Sequence, residues 1–325
     1  MKELLKDKKK LLFLVSAIAL VLVAAIVIVC LVTCGNNNDE TNNDQNNAEN
    51  NNQNNTDNNQ NNTPATKTYT LALAVDTTIG ADNKVSNYVT ALVLDDANKI
   101  VAVRIDCVET TPVLENGAIK DVASVTSKVS LGDGYSMLSG SFAKQTKAFE
   151  DAIVGKTSEE VAALDMTLVS GCTMPYSPFS FKAVVAKAFA STNKTTFTTA
   201  DTFTLGVAAD MSVSGGKVST YYAATAVTAN KIAANIIDCN EVSFTVEGDA
   251  IVAGAYNGTK VELGDAYAML SGSFAKQTAA FEDAIVGKTA EEVAALDMTL
   301  VSGCTMPYSP FSFKAVVANA ITNAR

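Results

Sequence analysis

The chain contains no histidine and no tryptophan. The first absence excludes Ser-His-Asp and Cys-His catalysis, and with them His-ligated zinc and His-ligated haem. Positive charge is also scarce. Lys and Arg number 24 against 34 Asp and Glu, a net charge of −10, which argues against nucleic acid as a partner. None of the six cysteines stands in a CxxC, so zinc-ribbon and thioredoxin readings lack their spacing. The acidic pairs Asp95-Asp96, Glu150-Asp151 and Glu159-Glu160 lack EF-hand spacing and read as solvated helix faces and turns. Gly155-Lys156-Thr157 and Gly287-Lys288-Thr289 lack the earlier glycine of a phosphate-binding loop, whose place Glu150 and Glu282 take, and read as helix-to-helix turns.

What is present begins with a basic stretch, residues 2–10, and an uncharged apolar run, residues 11–33. Roughly 20 apolar residues suffice to span a bilayer, and lysines in front of the run place the downstream chain outside the cell. The run ends Leu31-Val32-Thr33-Cys34-Gly35, similar to a bacterial lipobox with Cys34 as the lipidation residue, and an uncleaved helical anchor is the competing reading. Residues 1–34 are therefore expected to be a signal or membrane anchor. Residues 35–66 are dominated by Asn and have almost nothing to bury, so a disordered linker reaching on the order of 30 Å is expected.

The remainder is a tandem repeat. Tyr135–Lys187 and Tyr267–Asn319 match apart from Ser136/Ala268, Lys147/Ala279, Ser158/Ala290 and Lys187/Asn319. Upstream, Lys99-Ile100, Asp106-Cys107 and Glu109 pair with Lys231-Ile232, Asp238-Cys239 and Glu241. The expected domains are 67–192 and 201–325, with a Thr/Ser/Asn-rich joint between them. In each, the first half reads as strands: Tyr69–Val75, Asn87–Leu94 and Ile100–Val108, then Thr202–Val207, Tyr221–Val227 and Lys231–Ile237.

The second half reads as helices. Phe142, Thr146, Phe149 and Ile153 share one helical face, closed by Gly155. Thr157–Glu160 has the form of a capping box, and Ser177-Pro178 opens a last helix over Phe179–Ala190. Strands leading into helices predict an α+β unit, an antiparallel sheet packed with helices, present twice.

Each repeat carries Ser-Gly-Cys-Thr just before its last helix, as Ser170-Gly171-Cys172-Thr173 and Ser302-Gly303-Cys304-Thr305. A cap and a glycine would suffice for a plain turn, so the additional polar residues suggest an anion, since helix N-termini present free N–H groups. A plain turn is the alternative. One Cys pair per repeat, Cys107/Cys172 and Cys239/Cys304, could be bridged or could be two buried thiols.

The loop resembles the Ser/Thr-Gly-Ala-Thr motif of the FMN-binding domains found in flavinylated surface lipoproteins and in the Rnf and Nqr electron-transfer subunits. Leu131–Met137 resembles that family's LGDDYGM segment, and Gly155–Val161 its GKT-x-EEV helix pair. The resemblance covers nearly all of 85–190 and 218–321. It implies FMN joined by a phosphoester to Thr173 and Thr305, placed there by a flavin transferase. Ser170, Gly171, Ser302 and Gly303 would shape the loops and bring backbone N–H groups close to the phosphate, and Cys172 and Cys304 complete the expected cofactor-binding set. Tyr135, Met137 and Phe142, with Tyr267, Met269 and Phe274, are candidates to pack on the flavin ring. Cys172 and Cys304 stand where the family has Ala. Asp165 and Asp297 precede the Ser by five positions, where the family's acid precedes it by three.

The function so implied is that of a redox carrier rather than a substrate-turning enzyme. It would be tethered to the outer face of the cell membrane and pass electrons from a membrane donor to an extracellular acceptor. No catalytic acid or base and no metal is required. The competing readings are a cofactor-free surface module that binds a ligand or partner, and a thiol–disulfide module built on the paired cysteines.

Overall fold

The computed structural model describes residues 65–123, 127–137, 140–172, 181–269, 272–304 and 313–325. The apolar run, Cys34, most of the Asn-rich tract, Thr173, Thr305 and the Ser177-Pro178 cap lie outside the described residues. No described helix is long and apolar enough to cross a membrane.

The architecture is mixed α/β with antiparallel sheets, and strands predominate. The first repeat runs β1 (Lys67–Ile79), β2 (Val85–Leu94), β3 (Ile100–Glu115), β4 (Ala118–Ala123), the two-residue β5 (Ser136–Met137) and β6 (Gly140–Ser141), α1 (Phe142–Ile153), α2 (Ser158–Ala163) and α3 (Phe181–Ala190). The Thr-rich joint forms a strand, β7 (Lys194–Thr199), that pairs with β1. The second repeat contains β8 (Thr204–Ser214), β9 (Lys217–Thr228), β10 (Lys231–Glu247), β11 (Ala250–Thr259), β12 (Ala268–Met269), β13 (Gly272–Ser273), α4 (Phe274–Ile285), α5 (Ala290–Ala294) and α6 (Phe313–Thr322). The main sheets have the orders β4-β3-β2-β1-β7 and β11-β10-β9-β8.

The central strands, such as β2 and β9, are apolar on both faces because both faces are covered. Along β1, Leu71, Leu73 and Val75 join Val89, Ala91 and Val93 of β2 in one buried cluster, while Ala74, Leu92 and Leu94 join another. Period-two alternation thus sorts each strand between two cores. The outer cores hold the helices: Phe142, Phe149 and Phe181 against the first sheet, Phe274, Phe281 and Phe313 against the second. The shared core lies between the sheets, where Leu71, Leu73 and Val89 meet Leu205, Tyr222, Ala224 and Ile236. The layers run helices, sheet, sheet, helices.

That inner layer is not wholly apolar. Asn240 Nδ2 donates to Asn87 Oδ1 at 2.6 Å and to Thr77 Oγ1 at 2.7 Å, and the Tyr222 hydroxyl donates to Asn240 Oδ1 at 3.0 Å. Buried polar groups of this kind favour one register of the two sheets over slipped ones. Close approach of α6 to β8 requires Gly206, where a Cβ would lie 1.8 Å from the Ala320 carbonyl oxygen.

The helices begin and end as their residues dictate. Ser141 accepts the Lys144 N–H at the start of α1, and Gly155 lies just past its end at φ +81°. The capping box on α2 is complete: Thr157 accepts from Glu160 N–H, and the Glu160 carboxylate accepts from Thr157 N–H at 2.8 Å. The Gly155-Lys156 turn also binds the sheet, since Gly155 N–H donates to Ile100 O at 2.7 Å and Ile100 N–H to Lys156 O at 3.0 Å.

Candidate functional site

The Ser-Gly-Cys turns have the same geometry in both repeats. Gly171 and Gly303 adopt φ +82° and +83°, the left-handed region where side chains are strained. A Cβ there would also crowd Ala148 Cβ at 3.4 Å or Ala280 Cβ at 3.3 Å. The glycine is therefore required by the turn and by its contact with α1 or α4. Ser170, Gly171, Ser302 and Gly303 are exposed, whereas Cys172 and Cys304 are buried in the helix-side cores. The cysteine is the inward anchor of the turn. Cys172 N–H donates to Val169 O and Cys304 N–H to Val301 O, each at 3.1 Å.

The aspartate five positions upstream has a structural task. Asp165 Oδ1 accepts the Thr167 N–H at 2.9 Å and the Thr167 hydroxyl at 2.7 Å, capping the short 3-10 turn Met166–Leu168. Asp297 and Thr299 repeat the arrangement. These hydrogen bonds hold both carboxyls below the ordinary aspartate range. Close by, Lys182 Nζ donates to Leu164 O at 3.0 Å, and Lys314 Nζ to Leu296 O at 3.1 Å.

Behind the turns runs a path of rings. Phe142 lies 5.9 Å from Phe181 and 6.3 Å from Tyr135 between centroids, and Phe274 lies 5.9 Å from Phe313 and 6.4 Å from Tyr267. Phe142 and Phe274 are buried core residues with no face to offer a ligand. Tyr135, Met137, Tyr267 and Met269 are partly exposed and could take one.

Sequence reasoning missed the group at the end of this path. Lys128 and Lys260 are only 5% and 6% exposed. Each ammonium sits 4.6 Å from the ring centroid of Tyr135 or Tyr267 and 5.4 Å from that of Phe142 or Phe274. Lys128 Nζ lies 2.7 Å from Glu109 Oε1, and Lys260 Nζ 3.5 Å from Glu241 Oε2. Burial opposes the Lys128 charge, but the surrounding negative groups, Cys107 when ionised and Glu109, outweigh it and raise the pKa. Lys260 is raised against the same opposing burial, by Cys239 and its tyrosines. The signal was in the repeat: Lys128-Val129 and Lys260-Val261 both precede a Leu-Gly-Asp.

A second departure concerns Glu150, expected on a solvated face, and its repeat counterpart Glu282. Glu150 is buried and Glu282 partly buried, because their carboxylates accept strand N–H groups: Ile105 N–H at 2.7 Å and Ile237 N–H at 2.6 Å. Burial pushes Glu150 up to about 7, with the Ile105 N–H, Arg104 and Arg325 pulling it back. Desolvation lifts Glu282 to about 8; the Ile237 N–H pulls it back, and the Asp238 and Asp283 charges add to the rise.

Cys107, Cys172, Cys239 and Cys304 are all buried, and none is in a disulfide. Burial pushes the Cys107 thiol up to about 12 and raises Cys239 as well, so neither presents a thiolate near neutral pH. Among the described residues no group of His, Cys, Asp and Glu could hold a metal ion. Comparison with known protein families, with curated proteins and with solved structures finds no match.

Proposed function

We propose that the chain is an electron-transfer protein held at the outer face of the cell membrane, carrying FMN in phosphoester linkage on Thr173 and Thr305. The reading rests on the duplicated turn. Two copies of one loop present Ser and Gly to solvent and turn Cys inward, at the residue directly before each acceptor threonine. That arrangement fits a phosphate-linked group: the turn is exposed, and the buried thiol does not compete for it. The partly exposed Tyr135 and Met137, or Tyr267 and Met269, offer an apolar margin for a flavin ring.

Bound there, the flavin would accept and release electrons. The chain's own task is then attachment and positioning. Cys172 and Cys304 pin the turn to the core, and Asp165 and Asp297 fix the turn that precedes it. The finer fold reading belongs to the same proposal: two FMN-binding-like α+β domains, at 67–192 and 201–325, behind an anchor at 1–34 and a linker at 35–66. Its partners would be a flavin transferase, a membrane electron donor and an extracellular acceptor.

Of the alternatives, the thiol–disulfide module is disfavoured by the burial of all four cysteines. A cofactor-free surface module is separated from the flavoprotein by one experiment. Co-expression with a flavin transferase and a denaturing gel are expected to show flavin fluorescence on the protein band. The signal should persist at half intensity in Thr173→Ala and in Thr305→Ala, and vanish only in the double variant. A colourless wild-type band rejects the proposal.

A further inference from the structure

The two repeats meet at two junctions with corresponding residues, and these differ in content. Leu71–Asp76 of β1 corresponds to Leu205–Asp210 of β8, a match supported by the ladders, which pair Leu73 with Ala91 and Val207 with Ala224. Asp76 therefore corresponds to Asp210. By the same repeat, Lys187 of α3 corresponds to Asn319 of α6, and Glu262 to Ser130.

At the first junction these positions form a bridge across the repeat boundary. Lys187 Nζ lies 3.8 Å from Asp76 Oδ1 and 3.9 Å from Glu262 Oε1. At the second junction the aspartate remains, while asparagine replaces the lysine and serine the glutamate. What is left there is a cavity of about 490 Å³, lined among others by Asp106, Asp121, Ser130, Asp210 and Asn319. The Asp210 carboxylate accepts the Met211 N–H at 2.8 Å and makes no ion pair among the described residues. Asp106, 8% exposed, also lines the wall, but its Oδ1 already accepts the Cys107 N–H at 2.7 Å and the Val129 N–H at 3.1 Å. Arg104 and Arg325 flank the adjoining cavity of about 230 Å³, but their guanidinium groups face Glu150 at 3.6 and 3.5 Å. Among the described residues, Asp210 thus lacks the ammonium that Lys187 supplies to Asp76.

We infer that the larger cavity binds a small aliphatic primary ammonium, which sits at Asp210 as the Lys187 ammonium sits at Asp76. The Asn319 side-chain carbonyl and the Ser130 hydroxyl can accept its remaining N–H groups, and Ala208, Ala209 and Met211 line the space for its alkyl stem. The inference does not depend on the flavin: it concerns the boundary between the repeats and not the Ser-Gly-Cys turns.

The test is calorimetric titration of the full chain with n-butylammonium chloride, the analogue of a lysine side chain, at fixed ionic strength. Tetramethylammonium chloride, which has no N–H to donate, is the control. Saturable binding of one butylammonium per chain is expected, with none for tetramethylammonium. Asp210→Asn should weaken binding about tenfold or more, because a charge-assisted hydrogen bond is lost. Asn319→Lys should abolish it by placing a tethered ammonium in the cavity. Thermal unfolding of both variants checks that the fold is kept, and Ser130→Ala, which removes one acceptor from an exposed position, gives a milder variant with weakened binding. Absence of saturable binding overturns the inference, as does equal binding of tetramethylammonium or unchanged affinity in folded Asp210→Asn and Asn319→Lys.

Discussion

Replacing Lys128 by methionine keeps most of the side chain's bulk and removes its charge. The geometry sets three consequences. The 2.7 Å contact with Glu109 is lost, a charge-assisted hydrogen bond of about 1.5–3 kcal/mol. The ammonium–ring contact with Tyr135 at 4.6 Å goes as well, at about 0.5–2 kcal/mol. Glu109 is then left with Lys84 at 3.6 Å as its remaining ion-pair partner. Glu109 also keeps the Ser86 hydroxyl at 3.1 Å, so its charge is not left uncompensated, and the overlapping contributions give an expectation of about 2–4 kcal/mol. For a folded unit of this size it corresponds to a fall in Tm of roughly 10 °C.

Lys260→Met should cost less, about 1–3 kcal/mol, because Glu241 keeps Lys217 at 2.7 Å. Denaturant unfolding of both variants, and of Lys128→Met/Glu109→Gln, provides the assay. The double variant should recover part of the loss, since no charged carboxylate then lacks its lysine. A Lys128→Met penalty below about 1 kcal/mol, or a double variant no more stable than the single, would refute the reasoning.

Glu150 and Glu282 keep their protons in the folded chain at pH values where the unfolded chain has released them. The folded state then binds more protons, so their contribution to stability falls as pH rises from the ordinary 4.5 through about 8. Glu282→Gln should match wild type at pH 4, gain on it as pH rises and stop gaining above about pH 8, measured by chemical denaturation across pH; a parallel pH dependence in both proteins would contradict the assignment. Gly206→Ala should destabilise by about 3 kcal/mol or more, since its Cβ meets the α6 backbone, while Gly134→Ala, with nothing within 4 Å, should be near neutral in the same thermal scan. Gly171→Ala should cost about 1–3 kcal/mol through its φ of +82°, and with it lower the yield of any modification at the next residues. Cys107, Cys172, Cys239 and Cys304 should resist an aromatic disulfide reagent in the native protein and react on denaturation, read by peptide mapping.

Much of the fold was legible from local chemistry. Alternating apolar strands, the Thr157–Glu160 capping box and the Phe142–Ile153 face are short-range signals, and each appears where the residues put it. The hairpin strand β4 was missed although Asn116-Gly117 announces it, with φ of +53° and +72° in a two-residue turn that pairs Glu115 with Ala118. The face-to-face packing of the sheets was not legible. Nothing in the span Leu71–Val75 says which apolar covering each face will meet, and the joint at 194–199 reads as a polar linker until β1 offers it an edge.

At the candidate site the loop residues were found by repetition, and their glycine and cysteine have clear structural reasons. Lys128 and Lys260 were overlooked because a lone lysine reads as solvated. Only long-range contacts with Glu109 and Tyr135, or Glu241 and Tyr267, bury it. Glu150 escaped for the same reason, since its partner is a strand N–H distant in sequence.

The central claim concerns what Thr173 and Thr305 carry. Its most direct test is mass spectrometry of peptides from the chain purified from cells that contain a flavin transferase. The peptides holding Thr173 and Thr305 are each expected to gain the mass of one FMN less one water, with fragmentation assigning the gain to those hydroxyls. Unmodified peptides at both positions, or a flavin found on any other residue, would contradict the claim.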